Sequence, residues 1–189
     1  IIYDQINREL ATSRKDLEEK NKRLESIVHL DSLTEVFNHG YFQGFLEKEI
    51  NLADRKNTTL SLILADIDNF KNINDKYGHQ VGDFILKELC KLMNKSLRDY
   101  DMIARYGGEE FLIILPDTPL PDAVSALTRL QRELTKRFFL HQNEKLLITF
   151  SAGVTAFHAN ESRNETISRA DAAMYQAKKS GKNQVVSAD

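Results

Sequence analysis

Residues 105–111, Arg-Tyr-Gly-Gly-Glu-Glu-Phe, lie between two apolar runs at 102–104 and 111–115. Two consecutive glycines between such runs predict the tight turn of a β-hairpin, because glycine adopts positive φ without a steric clash. Glu109 and Glu110 follow the turn directly, where an alternating strand has no packing use for two acids in succession. Taken alone, the stretch also fits a charged, solvent-exposed turn.

A second group of acids follows a candidate for a buried strand at residues 60–67. Asp66 and Asp68 end this apolar run, and carboxylates at the end of a buried strand are costly without a partner. At positions i and i+2 their side chains leave the strand on the same face. If a strand of the hairpin pairs beside them, three or four carboxylates converge. Mg²⁺ suits such a group and leaves room for phosphate oxygens, whereas scattered surface acids are the alternative.

Residues that suit a purine nucleotide come next in the chain. Phe70 and Lys71 stand at a loop-to-helix junction, where free N–H groups and a lysine favour a polyphosphate. Asn74 and Asp83 flank a helix break at 77–79. A carboxylate accepts hydrogen bonds from the N1–H and the 2-amino group of guanine, a donor pair that adenine lacks. A helix cap and a solvated helix acid are the respective alternatives for Asn74 and Asp83.

The bulk composition excludes several classes of protein. The formal net charge of the 189 residues is −2, which argues against a nucleic-acid-binding surface. The single cysteine, Cys90, rules out an internal disulfide and fits a reducing compartment, so we expect a cytoplasmic location. No apolar run is long enough to span a bilayer, although the sequence leaves open a membrane anchor upstream of Ile1.

Residues 1–29 carry a heptad pattern. The repeat consists of Tyr3, Leu10, Leu17 and Leu24, with Ile6 and Ile27 at the partner spacing and with polar Ser13 and Lys20 weakening it. This spacing predicts a coiled-coil stalk that pairs two chains and transmits a signal from an upstream sensor domain. A single amphipathic helix lying on the domain is the alternative.

Residues 30–189 form the second predicted domain, in which helices and strands alternate around the hairpin. This order favours an α+β fold with a mostly antiparallel central sheet flanked by helices. We expect helices from the cap at 31–34 to about 56, over 71–97 with a break at 77–79, from 119 to about 138 and over 166–180; the strands are expected at 60–67, on both sides of the hairpin turn, at 146–157 and at 184–186.

Six segments carry a family resemblance over residues 31–186. They are 31–38 (DSLTEVFN), 66–83 (DIDNFKNINDKYGHQVGD), 98–101 (RDYD), 105–111 (RYGGEEF), 151–154 (SAGV) and 170–178 (ADAAMYQAK). In their order and spacing the chain resembles GGDEF-domain diguanylate cyclases, in which Gly-Gly-Glu-Glu-Phe is a standard active form. The resemblance implies a five-stranded, palm-like sheet similar to that of class III nucleotidyl cyclases and palm-type polymerases.

The resemblance further implies an enzyme that joins two GTP into cyclic di-GMP and releases two pyrophosphates, with two domains facing each other in a homodimer. Asp66, the Ile67 carbonyl and Glu109 would hold Mg²⁺ or Mn²⁺, with Glu110 beside them. Glu109 and Glu110 are the catalytic candidates, and either Glu109 or a water would accept the hydroxyl proton.

The resemblance also implies two nucleotide sites. The substrate site would consist of Phe70, Lys71, Lys178 and Lys182 near the phosphates, with Asn74 and Asp83 on guanine and His79 at its border. Arg98 and Asp101 stand at the spacing of the family's inhibitory product site, where an arginine forks onto cyclic di-GMP. Arg129 is a weaker candidate for that surface. A salt bridge at a helix end is the alternative for the Arg98–Asp101 pair.

Two positions depart from the family pattern. His39 replaces an arginine that usually supports the stalk junction, which affects coupling to the upstream signal more than catalysis. Lys182 also replaces an arginine and keeps the charge without the bidentate fork. Two other hypotheses compete with an active cyclase: a degenerate domain that senses GTP or cyclic di-GMP without turnover, and a purely structural dimerisation domain. The intact polar set favours the enzyme.

Overall fold

The computed structural model describes residues 2–189, apart from the side chains of residues 2–4, 6, 9, 19, 21–23 and 25–27. Six helices and eight strands follow one another in this part of the chain. They are α1 (Ile2–His29), β1 (Phe37–Asn38), α2 (His39–Lys56), β2 (Leu60–Ile67), α3 (Phe70–Tyr77), α4 (His79–Ser96), β3 (Met102–Arg105), β4 (Glu110–Pro116), α5 (Leu120–Thr135), β5 (Phe139–His141), β6 (Glu144–Leu146), β7 (Phe150–Ala156), α6 (Arg163–Lys179) and β8 (Val185–Ala188). Over residues 2–189, no helix is both long and apolar enough to cross a membrane.

The central sheet has six strands in the order β1-β3-β4-β2-β7-β8. Its four inner strands are antiparallel, whereas β1 and β8 run parallel to their neighbours at the two edges. The prediction of five strands is therefore wrong, and the additional strand is β1. Because β1 has only two residues, it shows no hydrophobic alternation from which a strand could be predicted.

Strand β2 is buried along its whole length because helices cover both faces of the sheet. On one face, Ile63 and Ala65 belong to a core cluster that includes α4 and α5. On the other face, Leu62 and Leu64 pack in a second cluster with residues of α2 and α6. The fold is thus a helix–sheet–helix sandwich with β2 at its centre, and the α+β class is confirmed.

The segment between α1 and α2 is a turn rather than the start of a helix. Asp31 Oδ1 accepts hydrogen bonds from the Thr34 N–H at 2.9 Å and from Thr34 Oγ1 at 2.7 Å. Helix α2 begins at His39, and the Asn38 side chain caps it by accepting a hydrogen bond from the Tyr41 N–H. The prediction of a helix capped at residues 31–34 was therefore wrong in its starting point.

The break between α3 and α4 is confirmed. Gly78 separates the two helices with a φ of 88°, a conformation that side-chain-bearing residues rarely adopt. A short hairpin formed by β5 and β6 was not predicted, because each strand has only three residues.

Helix α1 is a single helix that ends at His29, where the sequence predicted the division between stalk and domain. Leu10, Leu17 and Leu24 are exposed by 59–67%, so these residues do not pack on the domain. The side chains of Tyr3, Ile6 and Ile27 lie outside the described part of the chain. Pairing of two such helices in a coiled coil, and the division into two domains, stay predictions.

Candidate functional site

The end of β2 meets the start of β4, as the hairpin prediction required. Asp66 is the register partner of Glu110 across the antiparallel pair. One residue further, the backbone N–H of Ile67 donates to the Glu109 carbonyl at 3.2 Å. The three predicted metal-binding carboxylates, Asp66, Glu109 and Glu110, therefore belong to adjacent strand ends.

Asp66 is buried and short of compensating charge. Its only described ion pair is with Lys178 of α6, whose Nζ lies 3.0 Å from Oδ2. Burial raises the pKa of Asp66 to about 6; the hydrogen bond and charge of Lys178 oppose this shift, and the charges of Glu109 and Glu110 reinforce it. One lysine thus offsets only part of the negative charge at this edge of the sheet.

Asp68 does not join this group, contrary to the expectation from its i, i+2 spacing. Its Oδ1 accepts from Ser151 Oγ at 2.6 Å, and its Oδ2 accepts from Thr149 Oγ1 at 2.7 Å and from the Asn183 N–H at 2.9 Å. Asp68 lies beyond the last residue of β2, where the strand alternation no longer fixes its direction. Among residues 2–189, no three acids, histidines or cysteines are grouped as a ready-made metal site.

The predicted phosphate-binding residues surround the junction of β2 and α3. Phe70 is the buried first residue of α3, and Lys71 after it is exposed. Lys178 reaches the junction through Asp66. Lys182, in the loop between α6 and β8, reaches it by donating from Nζ to Asn69 Oδ1 at 2.5 Å. Lys178 and Lys182, which are far from β2 in sequence, therefore both lie at the end of that strand.

The predicted guanine-binding residues lie on either side of the α3–α4 break. The Asn74 side chain rests against Gly82 so closely that a Cβ at Gly82 would lie 2.0 Å from Asn74 Oδ1. Asn74 Oδ1 is buried and has no hydrogen-bond partner within residues 2–189. Asp83 follows Gly82 and is exposed, as is His79 at the start of α4. The structure thus brings Asn74 against Gly82, the residue before Asp83.

The β5–β6 hairpin contacts the C-terminal end of α3. The Tyr77 hydroxyl, at the end of α3, donates to Glu144 at 2.9 Å and accepts from Lys76 Nζ at 2.6 Å. The Tyr77 ring also packs edge-on against His141 at a centroid distance of 5.8 Å. The hairpin therefore holds the end of the helix that carries Asn74.

Arg105 connects the Gly-Gly turn to the segment that follows α1. Its guanidinium donates to the carbonyl oxygens of Gly107 and Gly108 and to Asp31 Oδ1 at 3.1 Å. Burial acts to raise the pKa of Asp31, but the hydrogen bonds from Thr34 and the Arg105 charge outweigh it and leave that pKa below its usual value. The turn that carries Glu109 is thereby fixed to the segment that follows α1.

His39, which stands where the family usually has arginine, contacts the same turn. Its ring packs edge-on against the ring of Tyr106 at a centroid distance of 4.6 Å, and a ring nitrogen lies 2.9 Å from Gln43 Nε2. The replacement residue therefore still touches the stretch at 105–111 that includes the catalytic candidates.

Arg98 and Asp101 line a cavity of about 380 Å³ beside the end of α1, together with Leu30, Glu35, Val36, Phe37, Asn94, Asp99 and Ile103. Asp101 Oδ2 accepts from the Arg98 N–H at 2.8 Å, and the guanidinium turns to the Tyr100 hydroxyl instead of to the carboxylate. Asp101 Oδ1 is buried without a partner in the described residues. Burial raises the pKa of Asp101, partly opposed by the hydrogen bond and charge of Arg98.

Arg129 is not brought to this cavity. It lines a separate surface hollow along α5 with Arg132 and Lys136. The structure therefore groups Arg98 with Asp101 but leaves Arg129 apart from them.

Sequence reasoning missed four residues that shape the site: Gly82, Arg105, Thr149 and Ser151. Arg105 gave a signal, because a charged residue at the end of an apolar strand needs a partner. The two hydroxyl residues gave none, since their partner Asp68 lies 81 and 83 positions away.

The chain is similar to known proteins along most of its length. Residues 28–184 match the family described as "Diguanylate cyclase, GGDEF domain". Diguanylate cyclase A of Treponema denticola is 36% identical over 169 residues, covering 87% of this chain and 46% of that protein. The chain thus spans less than half the length of this curated relative.

Two solved structures are similar in fold. The coiled coil and GGDEF domain of DgcB from Caulobacter crescentus, in complex with c-di-GMP, is 30% identical with a TM-score of 0.86, covering 97% of this chain and 99% of that one. The active GGEEF domain of a diguanylate cyclase from Vibrio cholerae is 34% identical with a TM-score of 0.74, covering 79% and 96%.

Proposed function

The chain belongs to the GGDEF-domain diguanylate cyclase family, and on that premise we propose that it condenses two GTP into cyclic di-GMP. The 3′-hydroxyl oxygen of one GTP bonds to the α-phosphorus of the other. The bond from that phosphorus to the bridging oxygen breaks, and pyrophosphate leaves. The 3′-hydroxyl oxygen of the second nucleotide then bonds to the α-phosphorus of the first, which closes the ring and releases the second pyrophosphate.

A divalent cation fits the residues at the end of β2. Asp66 is buried, carries a raised pKa and lies opposite Glu110 with a single lysine for compensation. Mg²⁺ or Mn²⁺ held by Asp66, the Ile67 carbonyl and Glu109 would relieve that repulsion. When bound, the cation supplies Lewis-acid chemistry: it lowers the pKa of the attacking hydroxyl and neutralises charge on the phosphate.

The remaining polar residues of the site have separate tasks in this proposal. Lys71, Lys178 and Lys182 bind the triphosphate and hold its α-phosphorus in line for attack. Asn74 and Asp83 bind the guanine edge, which orients the nucleotide and rejects adenine. Glu109, or a water beside it, accepts the proton of the hydroxyl, and Glu110 adds negative charge for a second cation.

Each domain in this proposal holds one GTP, so the reaction needs a homodimer with two facing half-sites. Leu10, Leu17, Leu24 and Val28 are exposed along α1, which supports pairing of two α1 helices as a coiled coil. The contact from Arg105 to Asp31 joins the catalytic turn to the base of that stalk. We propose that an upstream sensor domain acts through this connection, and that the domain works in the cytoplasm, where Cys90 stays reduced.

Product inhibition is part of the proposal. The cavity beside Arg98 and Asp101 has room for a nucleotide base, and Asp101 Oδ1 lies buried in its wall without a partner within residues 2–189. A guanine N–H would satisfy that oxygen, while the Arg98 guanidinium binds a phosphate or the base of cyclic di-GMP.

One observation carries the enzyme proposal: a buried, undercompensated carboxylate at the end of a central strand lies opposite two further glutamates. The test is product analysis of the purified chain with GTP and Mg²⁺, with a cyclic di-GMP phosphodiesterase present to remove the inhibitor. We expect cyclic di-GMP from the parent and none from Glu109→Ala. GTP binding by a confirmed dimer without product would favour a sensor domain, and absence of GTP binding would refute the site assignment.

A further inference from the structure

Asp68 is a buried, hydrogen-bonded carboxylate beside the site, and the proposed chemistry does not use it. It is 6% exposed, and three donors converge on it from two different segments. Ser151 and Thr149 approach from the start of β7, and the Asn183 N–H approaches from the loop between α6 and β8. A carboxylate has about four acceptor positions, so these donors occupy most of its capacity.

The loop that Asp68 holds adopts a conformation that needs support. Gly181, Lys182 and Asn183 have φ values of 115°, 63° and 48°, three successive residues in the left-handed region. This region is unfavourable for a residue with a long side chain such as lysine. The Lys182 N–H donates back to the Ala177 carbonyl in the last turns of α6, at 3.1 Å. The bond from the Asn183 N–H to Asp68 fixes the following peptide, so the direction of the Lys182 side chain is set.

Lys182 is also the point at which this loop reaches the proposed phosphate site. Its Nζ lies 2.5 Å from Oδ1 of Asn69, the residue between Asp68 and the first residue of α3. The Asp68 N–H donates to the Thr149 carbonyl at 2.9 Å, which anchors the segment at 68–69 to the residue before β7. Asp68 therefore ties the loop that carries Lys182 to the segment at 68–69, which Lys182 contacts.

We infer that Asp68 is a positioning residue for the triphosphate: it sets Lys182 over the loop that leads into α3 and does not itself bind metal or nucleotide. The inference rests on the proposed function, because it assigns Lys182 to the β- and γ-phosphates of GTP. The two acids of the Asp66-Ile67-Asp68 stretch would then have different roles. Asp66 would bind the cation, and Asp68 would position Lys182.

The test compares binding of two nucleotides that differ in their outer phosphates. Calorimetry of the whole chain in excess Mg²⁺ uses α,β-methylene-GTP, which cannot release pyrophosphate, and GMP. We expect Asp68→Asn to weaken binding of α,β-methylene-GTP about tenfold and to change GMP binding less than twofold. Lys182→Ala should give the same pattern, and Asp68→Asn should add less than twofold in the Lys182→Ala background. Asp54→Asn, which alters an exposed acid on α2, is the matched control.

Three outcomes would overturn the inference. Equal losses for both nucleotides would mean a general structural role, and additive losses in the double variant would mean that Asp68 acts independently of Lys182. A several-fold rise in the Mg²⁺ concentration needed for half-maximal binding would make Asp68 a metal ligand. Such a rise is expected for variants of the proposed ligands Asp66 and Glu109, and not for Asp68→Asn.

A milder variant covers the case in which Asp68→Asn does not fold. Thr149→Val removes one of the three donors and should weaken α,β-methylene-GTP binding about threefold, again without affecting GMP. No change with this nucleotide would contradict the positioning role. Failure of the parent chain to bind either nucleotide would instead refute the proposed function, so the two failures are distinguishable.

Discussion

Two sets of polar residues near the strand ends differ in how completely they are paired. In the first set, Asp66 has one lysine against two neighbouring glutamates, and buried oxygens of Asn74 and Asp101 have no partner among the described residues. In the second set, Asp68 accepts three hydrogen bonds and Arg105 contacts three acceptors. Every member of the first set stands where a ligand is proposed.

The Arg169–Glu161 pair is a further member of the fully paired set. Arg169 of α6 makes two contacts with the Glu161 carboxylate, at 2.6 and 2.7 Å, and also donates to Thr155 Oγ1 and the Ala156 carbonyl. It holds the far end of β7, about 13 Å along the strand from Ser151. The difference suggests a rule for these two sets of residues: those short of partners serve ligands at the expense of stability, and those that are fully paired serve the fold.

The largest expected effect comes from replacing Asp66, a member of the incompletely paired set. Asp66→Asn should lower cyclic di-GMP synthesis about 10³-fold, because it removes a proposed cation ligand. The same variant should be more stable than the parent without metal. The pKa of Asp66 is about 6 in the folded chain, above its unfolded value, so the ionised carboxylate destabilises the fold increasingly as pH rises from 4 to 6.

The expected gain for Asp66→Asn above pH 6 is on the order of 2 kcal/mol, because the raised pKa already includes the favourable pair with Lys178. It should appear in urea unfolding with a chelator present and should disappear below pH 4. A variant that is inactive and also less stable at pH 7 would break the proposed rule.

Arg169→Met tests the second set. Removing the guanidinium leaves the Glu161 carboxylate without its partner, and we expect a loss of about 3 kcal/mol in unfolding free energy. Nucleotide binding by the folded fraction should stay within twofold of the parent, since the pair lies at the opposite end of β7. A large change in GTP affinity at a temperature where the variant is fully folded would contradict the division between the sets.

Gly82→Ala should weaken GTP binding about 10- to 100-fold. The added methyl group would displace the Asn74 amide, which lies within 2.0 Å of the Cβ position, and would crowd the Phe70 ring at 3.0 Å. Titration with α,β-methylene-GTP measures the loss. Gly44→Ala on α2 is the matched control, because no atom lies within 4 Å of its Cβ position; there alanine should leave binding unchanged and stabilise the helix by about 0.5–1 kcal/mol.

The smallest expected effect on the basal enzyme comes from Arg98→Ala. The guanidinium contacts only Tyr100 among the described side chains. The initial velocity should therefore change less than twofold, and the free energy of unfolding should stay close to that of the parent. The rate should then no longer fall as cyclic di-GMP accumulates. Progress curves with and without phosphodiesterase measure this; if they differ in the variant as they do in the parent, Arg98 has no part in product inhibition.

The sequence predicted the parts of the fold that local patterns encode. The break at Gly78 follows from glycine conformation, and the α+β class follows from the alternation of helices and strands. The hairpin turn lies at Gly107-Gly108 as predicted, but the expected reason was wrong, because neither glycine has a positive φ; a Cβ at Gly107 would instead lie 2.6 Å from Glu110 Oε2. The two-residue strand β1 and the β5–β6 hairpin were missed because such short strands carry no periodicity. Their positions depend on tertiary contacts such as that between Tyr77 and Glu144.

The residues alone predicted that acids with unusual places in the chain would lie together, and the structure brings Asp66 and the two glutamates to adjacent strand ends; their roles stay proposals. Asp66 at the end of a buried strand and the adjacent Glu109 and Glu110 are costly without a ligand, so the residues alone pointed to them. Asp68 has the same residue type and a similar place, yet its surroundings depend on Asn183, which is 115 positions away. Residue spacing therefore could not predict which groups Asp68 contacts.

If the exposed apolar residues of α1 pair two chains as proposed, protein concentration becomes a control on output. If each chain supplies half of the reacting centre, the synthesis rate of unpaired chains rises with the square of their concentration. Once stalks are paired, the rate becomes first order. In that case Leu10, Leu17, Leu24 and Val28, which are exposed along α1, would set the concentration at which the order changes. An upstream domain that brings two such helices together would therefore change the kinetic order of the reaction without altering any group that touches GTP.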